Sequence, residues 1–471
     1  MFGTMVRQIR YGMALLRGGR LDPAGLRATV ADLRATIEEF GEPGEEAGAL
    51  LPGGVDPDLE IRRTMADRRL RKTVRQAAAH VPYYRRWFRE NGVDPGDVTL
   101  DTLDKLPPTT KAALRGASAD FVSDDAEPVL LAQTTGTTGA PTSVWFSRYE
   151  LELAAALSAM SFMMVNGCRE RHVVMSTISS RATLAKLTVQ QALAMVGAGF
   201  AALGTVDPRI ALDRLTEHRS LPGKEPQVTH LITTASYLGC LVQLVERGRW
   251  RPADFGLLQV LVGGEVLSDP LRRRAEQAFG AQITDTYSMT ETMPTAGLVC
   301  EAEHLHLAPE QAHIEVLDPV TGLPAAPGEI GTLVVTPYTQ YRDTTLLLRY
   351  ATGDLVRRLP AGEPVECSLL GMPATSRLLG RTSGARPELT TRAMLDLLQA
   401  VPDVPLPTRY ALDGTVLHVV AGKASRPQLE DRVGALPLTG LVLVEDAVDL
   451  PEPCRVRADL TEDSFELHPE T

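Results

Sequence analysis

The chain has no apolar stretch approaching the roughly 20 residues that a membrane-spanning helix needs, so no segment reads as crossing a bilayer. Cysteine is sparse. Five residues, Cys168, Cys240, Cys300, Cys367 and Cys454, lie far apart and are odd in number, which excludes a disulfide framework and makes a reducing cytoplasm the expected compartment. Positive charge is in deficit: the net charge is −11, which leaves nucleic acid and anionic membranes without the basic footprint they require. Local basic strips such as Arg62-Arg63 and Arg68-Arg69-Leu70-Arg71-Lys72 read as the solvated face of an early helix. Lysine is scarce beside arginine, and none follows Lys423. The first residues, MFGTMVRQIRYGMALLRGG, carry one short apolar patch and no cleavage-site pattern, so they read as a short helix rather than a signal peptide. Internal repeats and long low-complexity tracts are missing too.

What is present is ordinary globular composition, 44% hydrophobic and 23% charged, over 471 residues. Single cores stop growing near about 250–300 residues, so more than one domain is expected. Residues 1–60 read as a helical appendage with Gly/Pro-rich breaks at Gly41-Glu42-Pro43-Gly44 and Leu51-Pro52-Gly53-Gly54. From Asp56 to Ala117 the pattern is helical and amphipathic; from Val129 strands and helices alternate. Val228–Ile232 and Leu257–Val262 are continuous apolar runs of buried-strand type, and Leu187–Met195 reads as a helix stopped by Gly197. The alternation predicts an α/β fold: a large layered α/β domain over 61–380 with a β subdomain that includes strands at 331–335 and 345–350. Residues 381–471 have the content of a small α+β domain, with helices at 391–400 and 428–433 and strands at 410–412, 415–420 and 440–444.

The densest signal is Gln133–Ser147, QTTGTTGAPTSVWFS. Thr134, Thr135, Gly136, Thr137, Thr138 and Gly139 offer hydroxyl donors and glycine backbone that can approach an anion closely, the means by which a loop holds a polyphosphate. Strands on both sides, and Ala140-Pro141 where a Lys-Ser/Thr pair would stand, exclude the usual nucleotide-binding loop. Taken alone, the segment reads equally well as a polar hairpin turn.

Two further segments follow in order: Asp285-Thr286-Tyr287-Ser288-Met289-Thr290-Glu291 and Tyr350-Ala351-Thr352-Gly353-Asp354. With the loop, they resemble the adenylate-forming superfamily of acyl-CoA synthetases and adenylation domains. Pro141-Thr142, the entry segment Val81–Phe88 and Leu106-Pro107-Pro108-Thr109-Thr110-Lys111 look most like its phenylacetate–CoA ligase-like branch. The resemblance runs from about Arg62 to Arg381. It implies an enzyme that attacks the α-phosphate of ATP with a carboxylate, releases pyrophosphate, and passes the acyl group from AMP to an acceptor. It also implies roles. The 134–139 loop would hold the β- and γ-phosphates, with Thr138 among the catalytic residues; Thr290 would donate to the α-phosphate, and Glu291 would help hold Mg²⁺, a hard cation suited to carboxylate and phosphate oxygens. Tyr287, with Ser288 beside it, would stack on adenine, with Gly263-Gly264-Glu265 as the other wall; Asp354 and Arg381 would reach the ribose. Read singly, Gly263-Gly264 also suits a turn after a buried strand, Thr352–Asp354 a turn between strands, and Tyr287 a core aromatic.

The chain also departs from that pattern. After Gly380-Arg381 the text is Thr382-Ser383-Gly384, unlike the family's hinge, and the family's C-terminal lysine has no counterpart in Val448–Arg457. Arg455 or Arg457 would be an unequal exchange, a planar fork for a point charge, and Lys423 is a poorer stand-in. These departures point away from CoA as the preferred acceptor and toward a specialised biosynthetic ligase. Three alternatives stay open: an ordinary aryl-CoA ligase, an amide-forming or nitrogen–nitrogen bond-forming relative acting on an aryl amine, and an AMP-binding pseudoenzyme, against which the Thr290-Glu291 pair argues. Cys300, His304, His306 and Cys367 are residue types that hold zinc, although the family's second cysteine near Cys367 is absent. Phe162, Met163, Met164, Ile178 and Tyr237 would suit either an apolar acid pocket or ordinary core. The expected partners are a small carboxylic acid and a nucleophile; a homodimer stays open.

Overall fold

The computed structural model describes residues 2–41, 59–134, 141–360, 367, 369, 372–381 and 389–451. The chain divides into two compact units: Met1–Glu170, Arg181–Ala198 and Tyr287–Arg377 in the first, Arg171–Ser180, Gly199–Thr286 and Leu378–Thr471 in the second. The fold is mixed α/β, as the alternation of the sequence implies.

In the first unit, helix Pro23–Phe40 starts on an Asp22 cap, with Pro23 at its first position and Leu26, Val30 and Ile37 forming its buried stripe. That stripe packs on helices Arg148–Met164 and Thr183–Val196. Polar ties reinforce it: the Leu21 amide donates to the Tyr149 hydroxyl at 3.1 Å and Arg20 pairs with Asp343 at 2.8 Å. Helix Arg148–Met164 opens with a capping box, Ser147 with Glu150, as the Ser-x-x-Glu spacing dictates. Helix Thr183–Val196 ends at Gly197 with φ +83°, the left-handed turn that its glycine permits.

The unit's antiparallel sheet joins Ala312–Leu317, Ile330–Pro337 and Tyr350–Arg357. The last of these strands begins five residues later than the sequence pattern suggests. Leu346, Leu347 and Leu348 are buried, but in a connecting segment, and Arg349 takes φ +47°, which ends any extended run there. The Thr352–Asp354 segment lies inside the strand rather than in a turn between strands. A register shift opposite Thr332/Val334, with Gly353 at φ +78°, marks a bulge that re-aims the residues beside it.

The second unit holds a parallel sheet in the order Gly199–Ala202, Val173–Ser176, His230–Thr233, Gln259–Gly263 and Gln282–Ser288, the last strand passing into the first unit at Tyr287. The inner strands Val173–Ser176, His230–Thr233 and Gln259–Gly263 are buried along almost their whole length, which fits their largely apolar text. Residues beyond Thr390 form helix Thr391–Gln399, strands Tyr410–Asp413, Val416–Val420 and Gly440–Val444, and helix Arg426–Val433. They carry a core of their own around Met394, Leu398, Tyr410, Leu417, Val419 and Leu429.

Candidate active site

The hydroxyl-glycine loop leaves a two-stranded hairpin, Pro128–Gln133 antiparallel to Ser143–Ser147. Its neck is clasped. The Thr134 amide donates to the Thr142 carbonyl at 3.0 Å, and the Thr142 amide donates to the Thr134 hydroxyl at 3.0 Å. Thr142 is fully buried, and its hydroxyl accepts from Arg115 Nε at 3.2 Å. Position 142 therefore serves as a structural anchor for the loop. Thr135, Gly136, Thr137, Thr138 and Gly139 lie outside the described residues.

Two pairs of residues from the later motifs meet in the first unit. The Tyr287 hydroxyl donates to Asp354 Oδ2 at 2.8 Å, and both side chains are buried. The Asp354 amide donates to the Thr352 hydroxyl at 3.0 Å, so the residues of the bulged strand hold one another. Glu291 sits on the short 3₁₀ turn Thr290–Thr292 and is 1% exposed. Its Oε1 lies 3.3 Å from Lys111 Nζ and accepts from the Tyr350 hydroxyl at 3.1 Å. Thr290 is half-buried beside it, and Ser288 is exposed at the strand end.

Lys111 and Tyr350 reach Glu291 together for a backbone reason. Thr109 bridges to Tyr350 in parallel: the Thr109 amide donates to the Arg349 carbonyl at 2.9 Å and the Ala351 amide donates to the Thr109 carbonyl at 3.0 Å. The chain then turns into helix Lys111–Gly116 on a Thr110 cap. Nothing local in the sequence marks Lys111 or Tyr350 as partners of Glu291. Only their membership of the recognised motifs could have drawn attention to them.

In the second unit, Gly263 ends a buried strand; a Cβ there would meet the Thr286 hydroxyl at 2.8 Å, so glycine is required by packing. Gly264 has φ +80° and is exposed. Glu265 is held by Ser236, accepting from its amide at 2.6 Å and its hydroxyl at 2.8 Å; burial pushes its carboxyl above the ordinary range while these bonds oppose the rise. Arg381 is exposed after Gly380, whose left-handed φ of +135° and closeness to Thr391 admit no side chain. Lys423 is exposed, whereas the hinge residues Thr382, Ser383 and Gly384 and the arginines Arg455 and Arg457 lie outside the described residues. Of the pocket candidates, Phe162, Met163 and Tyr237 are buried; the Tyr237 hydroxyl donates to the Val206 carbonyl at 2.7 Å.

The sulfur and imidazole residues also converge. Ligand atoms of Cys300, His304 and His306 lie within 4.8 Å of one another. Cys367 Sγ stands 3.6 Å from His306 Nε2. The two histidines share one face of strand His304–Leu307, and a tight turn, with the Cys300 amide donating to the His304 carbonyl at 3.0 Å, brings Cys300 beside them. Burial lowers the pKa of His306, which favours the neutral imidazole that a metal takes. Two thiols and two imidazoles are a donor set suited to tetrahedral zinc.

The family model described as "AMP-binding enzyme" matches residues 98–340. The chain is 31% identical over 321 residues to the phenylacetate-coenzyme A ligase of Pseudomonas putida, covering 66% of this chain and 70% of that one. It is 28% identical over 311 residues to the enzyme of the same name from Thermus thermophilus, covering 64% of this chain and 67% of that one. A crystal structure of 2-hydroxyisobutyryl-CoA ligase in the postadenylation state superposes with a TM-score of 0.69 at 21% identity, over 86% of this chain and 90% of that one, a likeness of fold. The matched segment spans the loop, Thr290-Glu291 and the Glu291 partner Lys111, so the chain belongs to the AMP-binding enzyme family, in the phenylacetate–CoA ligase-like branch of the adenylate-forming superfamily, and is an ATP-dependent adenylate-forming ligase.

Proposed function

We propose that the chain activates an aryl carboxylate as its acyl-adenylate, with release of pyrophosphate, and transfers the acyl group to the thiol of CoA. The observation that supports the reading is the pairing of Tyr287 with Asp354 and of Glu291 with Lys111, two buried carboxylates of one unit to which we assign the nucleoside and the metal-polyphosphate respectively. The names of the P. putida and T. thermophilus relatives favour CoA over the other acceptors weighed from the sequence. In this reading Asp354 accepts from the ribose hydroxyls, with the Tyr287 hydroxyl fixing one of its oxygens and the Tyr287 ring beside the base. Thr290 donates to the α-phosphate as negative charge collects on it, and Thr134 to Gly139 donate to the β- and γ-phosphates. Glu291 fits a metal site: its carboxylate is buried and is met by side chains rather than by fixed backbone donors. It would hold Mg²⁺, which when bound neutralises polyphosphate charge. Residues 381–471 act as the lid.

Cys300, His304, His306 and Cys367 would hold a structural zinc that ties the strand ends together. A second reading, transfer to an amine, rests on the absence of any lysine after Lys423. One assay separates the two: AMP and pyrophosphate release over a panel of aryl and arylacetic acids, with CoA, with amines and with neither. An acyl-CoA product supports the first reading. Pyrophosphate exchange with turnover only on amines supports the second, and no release with any acid overturns both.

A further inference from the structure

The partners of Glu291 point to a role for Lys111 that builds on the proposed metal and phosphate assignment. The Lys111 side chain is 21% exposed, and its Nζ lies 3.3 Å from a carboxylate that is almost wholly buried. On the same short helix, one turn on, Arg115 donates to Thr142 at the neck of the phosphate loop. Helix Lys111–Gly116 thus carries one cation to the foot of the loop and one to the carboxylate assigned to the metal. The two cations differ. Arg115 is a planar fork fixed on a buried hydroxyl, whereas Lys111 is a compact charge on a flexible stem and can change partners without moving the backbone. The Tyr350 hydroxyl donates to the same Glu291 oxygen, a second partner for the carboxylate that does not depend on Lys111.

We propose that Lys111 is a resident counter-ion of Glu291 that competes with a divalent cation in the empty protein and transfers to the polyphosphate when nucleoside triphosphate arrives, leaving Glu291 to the metal. A buried carboxylate that stays ionised is stabilised by a neighbouring cation. In the nucleotide-free chain Lys111 supplies that cation, so metal alone binds weakly. The triphosphate supplies Lys111 with another anion, and metal and nucleotide then bind as a coupled pair, each strengthening the other by the same factor. Lys111 is a positioning residue here, acting on the metal through Glu291.

The test is a set of binding titrations on the full chain. Mn²⁺ is titrated without nucleotide, by paramagnetic resonance. A non-hydrolysable ATP analogue and AMP are each titrated in chelator, by calorimetry. Lys111→Met should bind Mn²⁺ about tenfold more tightly than the unaltered chain, bind the metal-free ATP analogue about tenfold more weakly, and bind AMP equally well. Lys111→Arg should restore most of both changes. A purely structural lysine would weaken all three ligands together or none, and either pattern overturns the proposal. Should Lys111→Met not fold, Lys111→Gln gives the same three readings. Glu291→Gln separates this idea from the site it rests on. If Glu291→Gln abolishes Mn²⁺ binding while Lys111→Met leaves it unchanged, the counter-ion exchange fails and the metal site stands. If Glu291→Gln leaves Mn²⁺ binding intact, the metal assignment itself fails and the proposal falls with it.

Discussion

Two buried carboxylates in the first unit, Glu150 and Glu291, are 2% and 1% exposed and yet are satisfied in opposite ways. Glu150 accepts from three backbone amides, Ser147 at 2.6 Å, Asp343 at 2.8 Å and Thr344 at 3.0 Å. Its cation, Arg342, lies 3.4 Å away and is itself immobilised, donating to the Thr345 and Met293 carbonyls and standing 4.0 Å over the Phe146 ring. Burial pushes the Glu150 carboxyl above the ordinary range, with Arg342 the largest influence in the other direction. Glu291 is met by an ammonium and a phenol, both at the ends of side chains. Fixed donors make a joint; movable donors make a site that can accept something else. Burial does not separate the two carboxylates, and the kind of partner does.

The largest expected effect breaks the joint. Glu150→Ala strands Arg342 in the interior and removes the acceptor of three amides, so it should cost on the order of 3–5 kcal/mol of stability, the scale for breaking a buried pair from one side. Chemical denaturation checks it. A soluble, normally stable Glu150→Ala protein with altered catalysis would mean that the two carboxylates had been assigned the wrong way round.

Glu291→Gln sharpens the same contrast. It should reduce turnover by about 10²–10³-fold, the scale for removing one charge-stabilising group, while leaving AMP affinity and the denaturation midpoint close to those of the unaltered chain. Steady-state kinetics beside AMP calorimetry decides it: equal loss in both would move Glu291 from the metal to the nucleoside.

Asp354→Ala should show the reverse pattern. Its carboxylate, fixed by Tyr287, is assigned to the ribose, and a contact made equally in ground and transition state appears in affinity before turnover. AMP binding should weaken by about 10–100-fold, with Tyr287→Phe producing a smaller loss in the same direction. If Tyr287→Phe leaves AMP affinity unchanged, the hydroxyl is a core tie rather than an orienting group.

Much of this arrangement is legible in the chain before any coordinates. The order of the loop, Tyr287–Glu291 and Tyr350–Asp354 carries the superfamily and its ligase chemistry, and the helices and strands beyond Thr390 follow from periodicity and caps. What cannot be read there is contact. The Tyr287–Asp354 hydrogen bond joins residues 67 positions apart, and the convergence of Lys111 and Tyr350 on Glu291 depends on Thr109 bridging to a distant strand. The strand expected at 345–350 misleads because an apolar run looks the same whether it pairs in a sheet or crosses a core; Arg349 at φ +47° decides which, and no propensity marks it. Near Cys367 the sequence lacks a paired cysteine, but His304 stands in the same cluster as Cys300 and His306 and offers a fourth donor.

The smallest expected effect concerns the last lysine of the chain. Lys423 begins the short turn Lys423–Ser425 and is exposed, in the region proposed as a lid. A lysine that reached the reacting carboxylate and α-phosphate would stabilise charge in the transition state, and its removal would match the loss expected for Glu291→Gln. An exposed lysine on a turn contributes little, because water screens it and its stem is free. Lys423→Ala should therefore leave turnover within a few-fold, whereas Arg455→Ala or Arg457→Ala should cost about 10–10³-fold if an arginine serves the adenylation step. The same contrast applies to Lys423: its removal should leave nucleotide and metal binding unchanged, where Lys111→Met is expected to alter both. A Lys423→Ala enzyme that forms no adenylate, with AMP binding intact, would give the lid the charge-stabilising role and restore the family's usual arrangement.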